Sequence, residues 1–260
     1  MIMKILVSII FISCVNLGFS QESAMLTKWS YNTAHLMPAG KWESGLFLPF
    51  RYGINQKIEL YTNVLMLPLI PGMGVKIAHG TKGGFDVASE HSLSVPTPFL
   101  NFISRKGIGG FISPEYDFSF LLSVHNALIV SKQVAPKMLI SAKAGFDFDI
   151  RTEKPDPQST IDLPVFYSRM AHYYDGATIR LGGTLKGSMG EKWFYEEGVQ
   201  VFIVTRPENN FFFENTGTIM WAIGGSWRLR GGYIIAYGKY PYETPKWQLW
   251  PTLDVVFGSK

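Results

Sequence analysis

From Met138 to Arg151 the chain alternates. Met138, Ile140, Ala142, Ala144, Phe146, Phe148 and Ile150 form one set, and Leu139, Ser141, Lys143, Gly145, Asp147, Asp149 and Arg151 form the other. A helix would mix the two sets, whereas a strand presents one on each face. The pattern recurs where Leu46, Leu48, Phe50 and Tyr52 alternate with Gly45, Phe47, Pro49, Arg51 and Gly53. It recurs again where Ile58, Leu60, Thr62 and Val64 alternate with Lys57, Glu59, Tyr61 and Asn63. Ala177, Ile179, Leu181 and Leu185 face away from Thr178, Arg180, Gly182, Thr184 and Lys186, and Leu249, Leu253, Val255 and Phe257 face away from Thr252, Asp254 and Val256. Trp193 to Val204 is weaker, because Glu197 falls in the apolar set and points to a bulge or a water-exposed strand end.

Ten to twelve such segments are expected, near 43–53, 57–66, 73–80, 84–95, 111–119, 120–132, 138–151, 177–187, 193–205, 213–224, 226–238 and 247–257. Beyond the first twenty residues, no run approaches the roughly eighteen consecutive apolar residues of a membrane helix. The segment lengths suit tilted membrane β-strands of about nine to eleven residues. Ile54-Asn55-Gln56 and Pro207-Glu208-Asn209-Asn210 read as short turns. Thr152 to Met170, with Pro155, Pro157 and Pro164, reads as a long external loop. Thr97 to Gly110 fits either a short amphipathic helix on or in a barrel, or a structured loop. No internal repeat beyond the strand period and no linker is visible.

The placement of aromatic residues separates a membrane barrel from a soluble sandwich. Trp42, Tyr52, Trp193, Tyr195, Trp227, Tyr233, Trp247 and Trp250 gather near strand ends, where an amphipathic ring sits at headgroup depth. The expected fold is an all-β, antiparallel up-and-down transmembrane barrel, and the competing reading is a secreted soluble β protein whose core those rings fill. Leu253, Val255 and Phe257 have the spacing of a closing barrel strand, displaced by Gly258-Ser259-Lys260. Thr33-Ala34-His35-Leu36-Met37-Pro38-Ala39-Gly40-Lys41-Trp42-Glu43, running into Gly45-Leu46-Phe47-Leu48-Pro49-Phe50-Arg51-Tyr52-Gly53, resembles the opening of a poorly characterised family of bacterial outer-membrane barrel proteins. Thr97-Pro98-Phe99-Leu100-Asn101 and Gly109 to Glu115 resemble its middle section. The resemblance implies a location and brings no catalytic motif with it.

Residues 1–20 read as a secretory signal peptide: a basic start to Lys4, an apolar stretch from Ile5 to Val15, and Gly18 and Ser20 before a cut at Gln21. A lipoprotein signal acylated at Cys14 is the competing reading. Residues 21–260 then form one barrel domain, exported to the outer membrane of a diderm bacterium. Its expected partners are outer-membrane lipids and the barrel-assembly machinery, with small solutes if a pore is open.

Composition narrows the field further. The chain is 47% hydrophobic and only 17% charged, which excludes disorder. A single cysteine excludes a disulfide scaffold. A formal charge of +4 without clustering argues against a nucleic-acid protein.

A barrel lipid hydrolase would set His and Ser two apart on one strand face, so that the imidazole activates the hydroxyl. Two residues after His35, His79, His91, His125 and His172 stand Met37, Thr81, Leu93, Ala127 and Tyr174. Only His79 has a hydroxyl partner there, and Gly80 to Gly84 reads as a turn, so no catalytic residue is assigned. Metal-ligand spacings and a helix-borne phosphate loop are also missing, and no cofactor is expected. The polar set supplies the candidate lumen lining: Arg51, Lys76, Lys143, Asp147, Asp149, Arg151, Arg180, Lys186, Arg228 and Arg230. These residues would line a narrow channel with some preference for anions, or knit a closed barrel interior. A lipid-modifying barrel enzyme is the third reading.

Overall fold

The structure is a computed structural model that describes residues 30–108, 111–161, 163–206, 210–239 and 244–259. The signal peptide and Cys14 lie outside the described residues, as do Pro207, Glu208 and Asn209 of the expected turn. Twelve strands, each hydrogen-bonded to its neighbours, close into an antiparallel barrel in chain order. They are β1 (Trp42–Gly45), β2 (Phe50–Gly53), β3 (Ile58–Thr62), β4 (Gly72–Lys82), β5 (Phe85–Ser94), β6 (Leu121–Ala135), β7 (Met138–Arg151), β8 (Ala177–Ser188), β9 (Trp193–Val204), β10 (Phe211–Ala222), β11 (Trp227–Gly238) and β12 (Lys246–Gly258). Two helices interrupt the series, α1 (Thr97–Ile103) between β5 and β6 and α2 (Pro164–Asp175) between β7 and β8. No helix among the described residues is long and apolar enough to cross a membrane.

The twelve strands differ in two places from those expected. Residues 43–53 form two strands, because Asp254 of β12 holds the chain in a tight bend between them. Its Oδ1 accepts from the amides of Leu46 (2.8 Å) and Phe47 (3.3 Å), and its Oδ2 from that of Leu48 (2.9 Å). Residues 111–119 form no strand. Ile112 and Phe118 instead turn into an apolar cluster with Leu100, Ile103 and residues of α2. Glu197 marks neither a bulge nor a strand end, since pairing runs unbroken through it on both sides. Its carboxylate accepts from Asn215 (2.5 Å) and lies 3.3 Å from the Tyr233 hydroxyl.

The alternation seen in the sequence becomes an inversion of the soluble pattern. On β7, Ile140, Phe146 and Ile150 are exposed on the outer wall, while Leu139, Ser141 and Asp147 are buried inside. Leu181, Val199, Ile219, Leu249 and Leu253 extend the apolar exterior around the barrel. Trp193 stacks on Trp221 (5.7 Å between centroids) and Trp227 tilts against Phe257 (5.4 Å) at one rim; Trp247 meets Tyr237 (4.8 Å) at the other.

Strand direction sorts the connections. β1 starts where β12 ends, since Glu43 pairs with Gly258. At that terminal end lie the short connections 54–57, 83–84, 136–137, 189–192 and 223–226, and the opposite end carries the short bend 46–49 and the longer 63–71, 95–120 and 152–176. The shortest turn, Gly83-Gly84, has both residues at positive φ (59° and 78°), the geometry that matches strand twist in a two-residue hairpin and that glycine adopts freely.

Candidate functional site

The interior is filled from both ends. At the terminal end the chain preceding β1 runs inside the barrel and turns at Asn32, whose φ is 54°. Lys76 donates to the carbonyl of Ser30 and Lys186 to that of Tyr31. Asn32 Nδ2 donates to Glu196 Oε1 (3.0 Å), the Ala34 amide to Ser131 Oγ (2.8 Å) and the Met37 amide to Glu59 Oε2 (2.6 Å). The Tyr31 ring lies 5.2 Å from the Arg51 guanidinium, 5.8 Å from Lys186 Nζ and 5.9 Å from the Arg230 guanidinium. Its π face thereby offsets three cations. Apart from a single bridge, Ala39 to Gly53, this segment adds nothing to the sheet; side chains of the wall hold it.

The other insert is α2. Pro164 occupies its first turn and Gly176, at φ 99°, follows its last residue, an entry and an exit that both suit a helix. Tyr167, Met170, Ala171 and Tyr174 fall on one face and are buried with Phe202 and Phe212 of the wall. The helix approaches β7 through β12, so it lies within the barrel, where the sequence reading placed only an external loop. Arg169 forms a two-pronged bond with Glu214, its Nη2 2.6 Å from Oε2. Arg151 donates to the carbonyl of Tyr173. His172 Nε2 and Ser123 Oγ are 2.8 Å apart. Burial pushes the His172 imidazole down to about 4, aided by Arg180, His125 and Arg151 and opposed by Asp147, so the helix is docked with this ring neutral.

All ten residues assigned to the lumen by the dyad have an ionic partner inside the barrel. Arg51 pairs with Glu59, Lys76 with Glu90 (3.7 Å), Lys143 with Glu90, Asp147 with Arg180 and Asp149 with Arg151 (3.3 Å). Lys186 and Arg230 share Glu196 (3.2 and 3.8 Å), and Arg228 meets Glu43 (3.1 Å). Lys76, Lys186 and Arg51 are buried among these partners. A small cavity remains beside Tyr31, walled by Lys186, Arg230, Phe194 and Met220. The sequence reading missed Glu43, Glu59, Glu90, Glu196 and Glu214. Glu59 and Glu90 hold the same strand phase as their cationic partners, which is the signal that would have found them. With these carboxylates counted, the cationic excess behind the expected anion preference largely disappears.

His79 and Thr81, the histidine–hydroxyl spacing noted in the sequence, do not meet. Thr81 Oγ1 donates to Asp86 (2.6 Å), and His79 lies instead against Ser89 (2.8 Å). Strand β4 continues to Lys82, so the expected turn from Gly80 shrinks to Gly83-Gly84, with the register shift falling between Ala78 and Gly80.

Fold and interior define a closed twelve-stranded barrel with an apolar outer wall and an ion-paired, self-filled lumen. No protein-family profile matches the chain, and no curated protein sequence matches it. Among solved structures it is similar to the NanC porin, at 8% identity and a TM-score of 0.49, over 85% of this chain and 98% of that one. It is similar to the KdgM porin in complex with disordered oligogalacturonate, at 8% identity and a TM-score of 0.42, over 84% and 94%. It is also similar to the outer-membrane channel DcaP of Acinetobacter baumannii, at 9% identity and a TM-score of 0.40, over 92% and 68%.

Proposed function

We propose that this chain, with residues 1–20 removed on export, is an outer-membrane β-barrel of a diderm bacterium. In this reading it is a narrow channel whose terminal end is held shut at rest by its own N-terminal segment and whose far end is narrowed by α2. The membrane placement is supported by the apolar exterior with aromatic residues at both rims, and by short turns at one end with long loops at the other. Lipid surrounds the outer wall, and the Leu253, Val255 and Phe257 strand is the element offered to the assembly machinery.

The observation that carries the channel reading is the way residues 30–37 are held. They occupy the interior through side-chain contacts alone, so they can leave without breaking a strand ladder. Their departure would expose Arg51, Lys76, Lys186 and Arg230 together with Glu59, Glu90 and Glu196. Such a mixed lining selects small solutes by size more than by sign.

Planar-bilayer recording tests this. The refolded 21–260 chain should be silent, whereas a chain lacking residues 21–34, or carrying both Lys76→Gln and Lys186→Gln, should give reproducible steps with weak ion selectivity. Silence from variants that still show heat-modifiable gel mobility would establish the alternative, a permanently closed barrel with a structural or ligand-holding role.

A further inference from the structure

On the outer wall of β4, β5 and β6, as around Glu197, polar side chains interrupt the apolar surface, with Ser89 buried beneath the exposed imidazoles of His79 and His91. Ser89 and His91 are two residues apart on β5 and share a face, and Asn126 of β6 is the residue paired directly opposite His91. His91 Nδ1 lies 2.7 Å from Asn126 Oδ1, and His91 Nε2 lies 3.0 Å from Ser89 Oγ. The register shift between Ala78 and Gly80 brings a second imidazole to the same oxygen, His79 Nε2 at 2.8 Å.

One tautomer of His91 satisfies all of these contacts. Asn126 Oδ1 only accepts, so His91 carries its proton on Nδ1 and leaves the Nε2 lone pair free to accept. In that tautomer the Ser89 hydroxyl donates to His91 Nε2, and Ser89 Oγ accepts from His79 Nε2–H. A nucleophile, a base and an acceptor that holds the base's tautomer are in sequence, the arrangement by which acyl-transfer sites are recognised whatever their order in the chain. On β5 the hydroxyl stands two residues before its histidine, not two after it.

The location supplies the substrate class. Ser89 pairs with Ile77, and Ile77 with Ile58, the first residue of β3, so the group stands near the terminal-end rim. Met73, Phe85, Leu93 and Leu128 are exposed on the wall around it. A side chain there meets the depth at which an acyl chain joins its headgroup.

We propose that Ser89, His91 and Asn126 form a hydrolytic site on the outside of the barrel for the acyl esters of glycerophospholipids. Ser89 Oγ attacks the ester carbonyl while its proton passes to His91 Nε2. The C–O bond to the glycerol breaks, the glycerol oxygen takes that proton, and the acyl group remains on Ser89. Water, deprotonated by His91, then attacks the acyl-serine, releasing a fatty acid and restoring the hydroxyl. His79, whose ring nitrogen lies against Ser89 Oγ, and Asn126 are positioning residues. This activity is independent of whether the lumen opens.

The test uses the refolded 21–260 chain in mixed micelles of detergent and dioleoyl phosphatidylethanolamine, reading free fatty acid. Release is expected from the wild type, with Ser89→Ala and His91→Gln each lowering it at least about a hundredfold. Asn126→Ala should lower it about tenfold and Asn126→Asp, which keeps an acceptor for Nδ1–H, should restore it. A fluorophosphonate should label the wild type on the peptide containing Ser89, a readout that does not depend on any variant folding. Absence of both release and labelling from protein with heat-modifiable mobility would overturn the assignment, as would release that survives Ser89→Ala.

Discussion

Arg51 and Glu59 face each other with both side chains closed off from water. Taking two charges out of water is costly, and removing one of them leaves the other uncompensated, at about 3–5 kcal/mol. Arg51→Met also removes the cation beside Glu90 and the π contact to Tyr31, so it should lower the urea midpoint of the refolded barrel, while the exposed Lys57→Met should leave it unchanged. His172 carries a pH dependence. A buried neutral imidazole with its pKa pushed down to about 4, against an ordinary 6.5, contributes in full above pH 6.5. That contribution is lost as the pH falls from about 6.5 towards 4, up to about 3 kcal/mol. Proteolysis in the 152–163 stretch should therefore speed up at pH 4.5 relative to pH 7.5, and His172→Phe should flatten that difference. Glu214 and Ser168 hold the same helix.

Elements were legible in proportion to how far their reasons are local. β7 announced itself because its outer and inner sets each stay true to type along its whole length, and its bounds are those read from the sequence. Helix α2 was also written locally, in Tyr167, Met170, Ala171 and Tyr174 between Pro164 and Gly176, but three prolines nearby suggested a loop. The split of β1 from β2 was not local at all, since it depends on Asp254 more than two hundred residues away. Nor was the segment at 30–37, which has no period because it pairs with nothing along its length. Asp254→Ala should strand three amides at the bend and destabilise the barrel by about 2–3 kcal/mol, seen as a lower temperature for the gel-mobility shift. Asp254→Asn keeps one acceptor oxygen and should fall between the two.

At the scale of the whole molecule the ends are unequal. Long connections that carry both helices lie at the end away from the termini, and an outer-membrane barrel turns that end to the outside. In a Cys14→Ser background, a membrane-impermeant maleimide should label Lys154→Cys on intact cells and should reach Gly224→Cys only after lysis; the reverse pattern would mean an inverted barrel. The wall is unequal too. β6 and β7 pair along nearly their full length, whereas β1 joins β12 through three residue pairs, extended by Ser259, whose amide donates to the Trp42 carbonyl (2.8 Å) and whose Oγ accepts from the Trp42 amide (2.9 Å). Gly258 and Ser259 thus act as the last teeth of a zip. A curled sheet from β4 to β12 can exist before those teeth engage, and bringing together ends so distant in sequence carries a loop-closure cost of its own. The cylinder should therefore shut last and rip first along this line, and a chain ending at Phe257 should keep its strand circular dichroism while its gel-mobility shift moves to lower temperature.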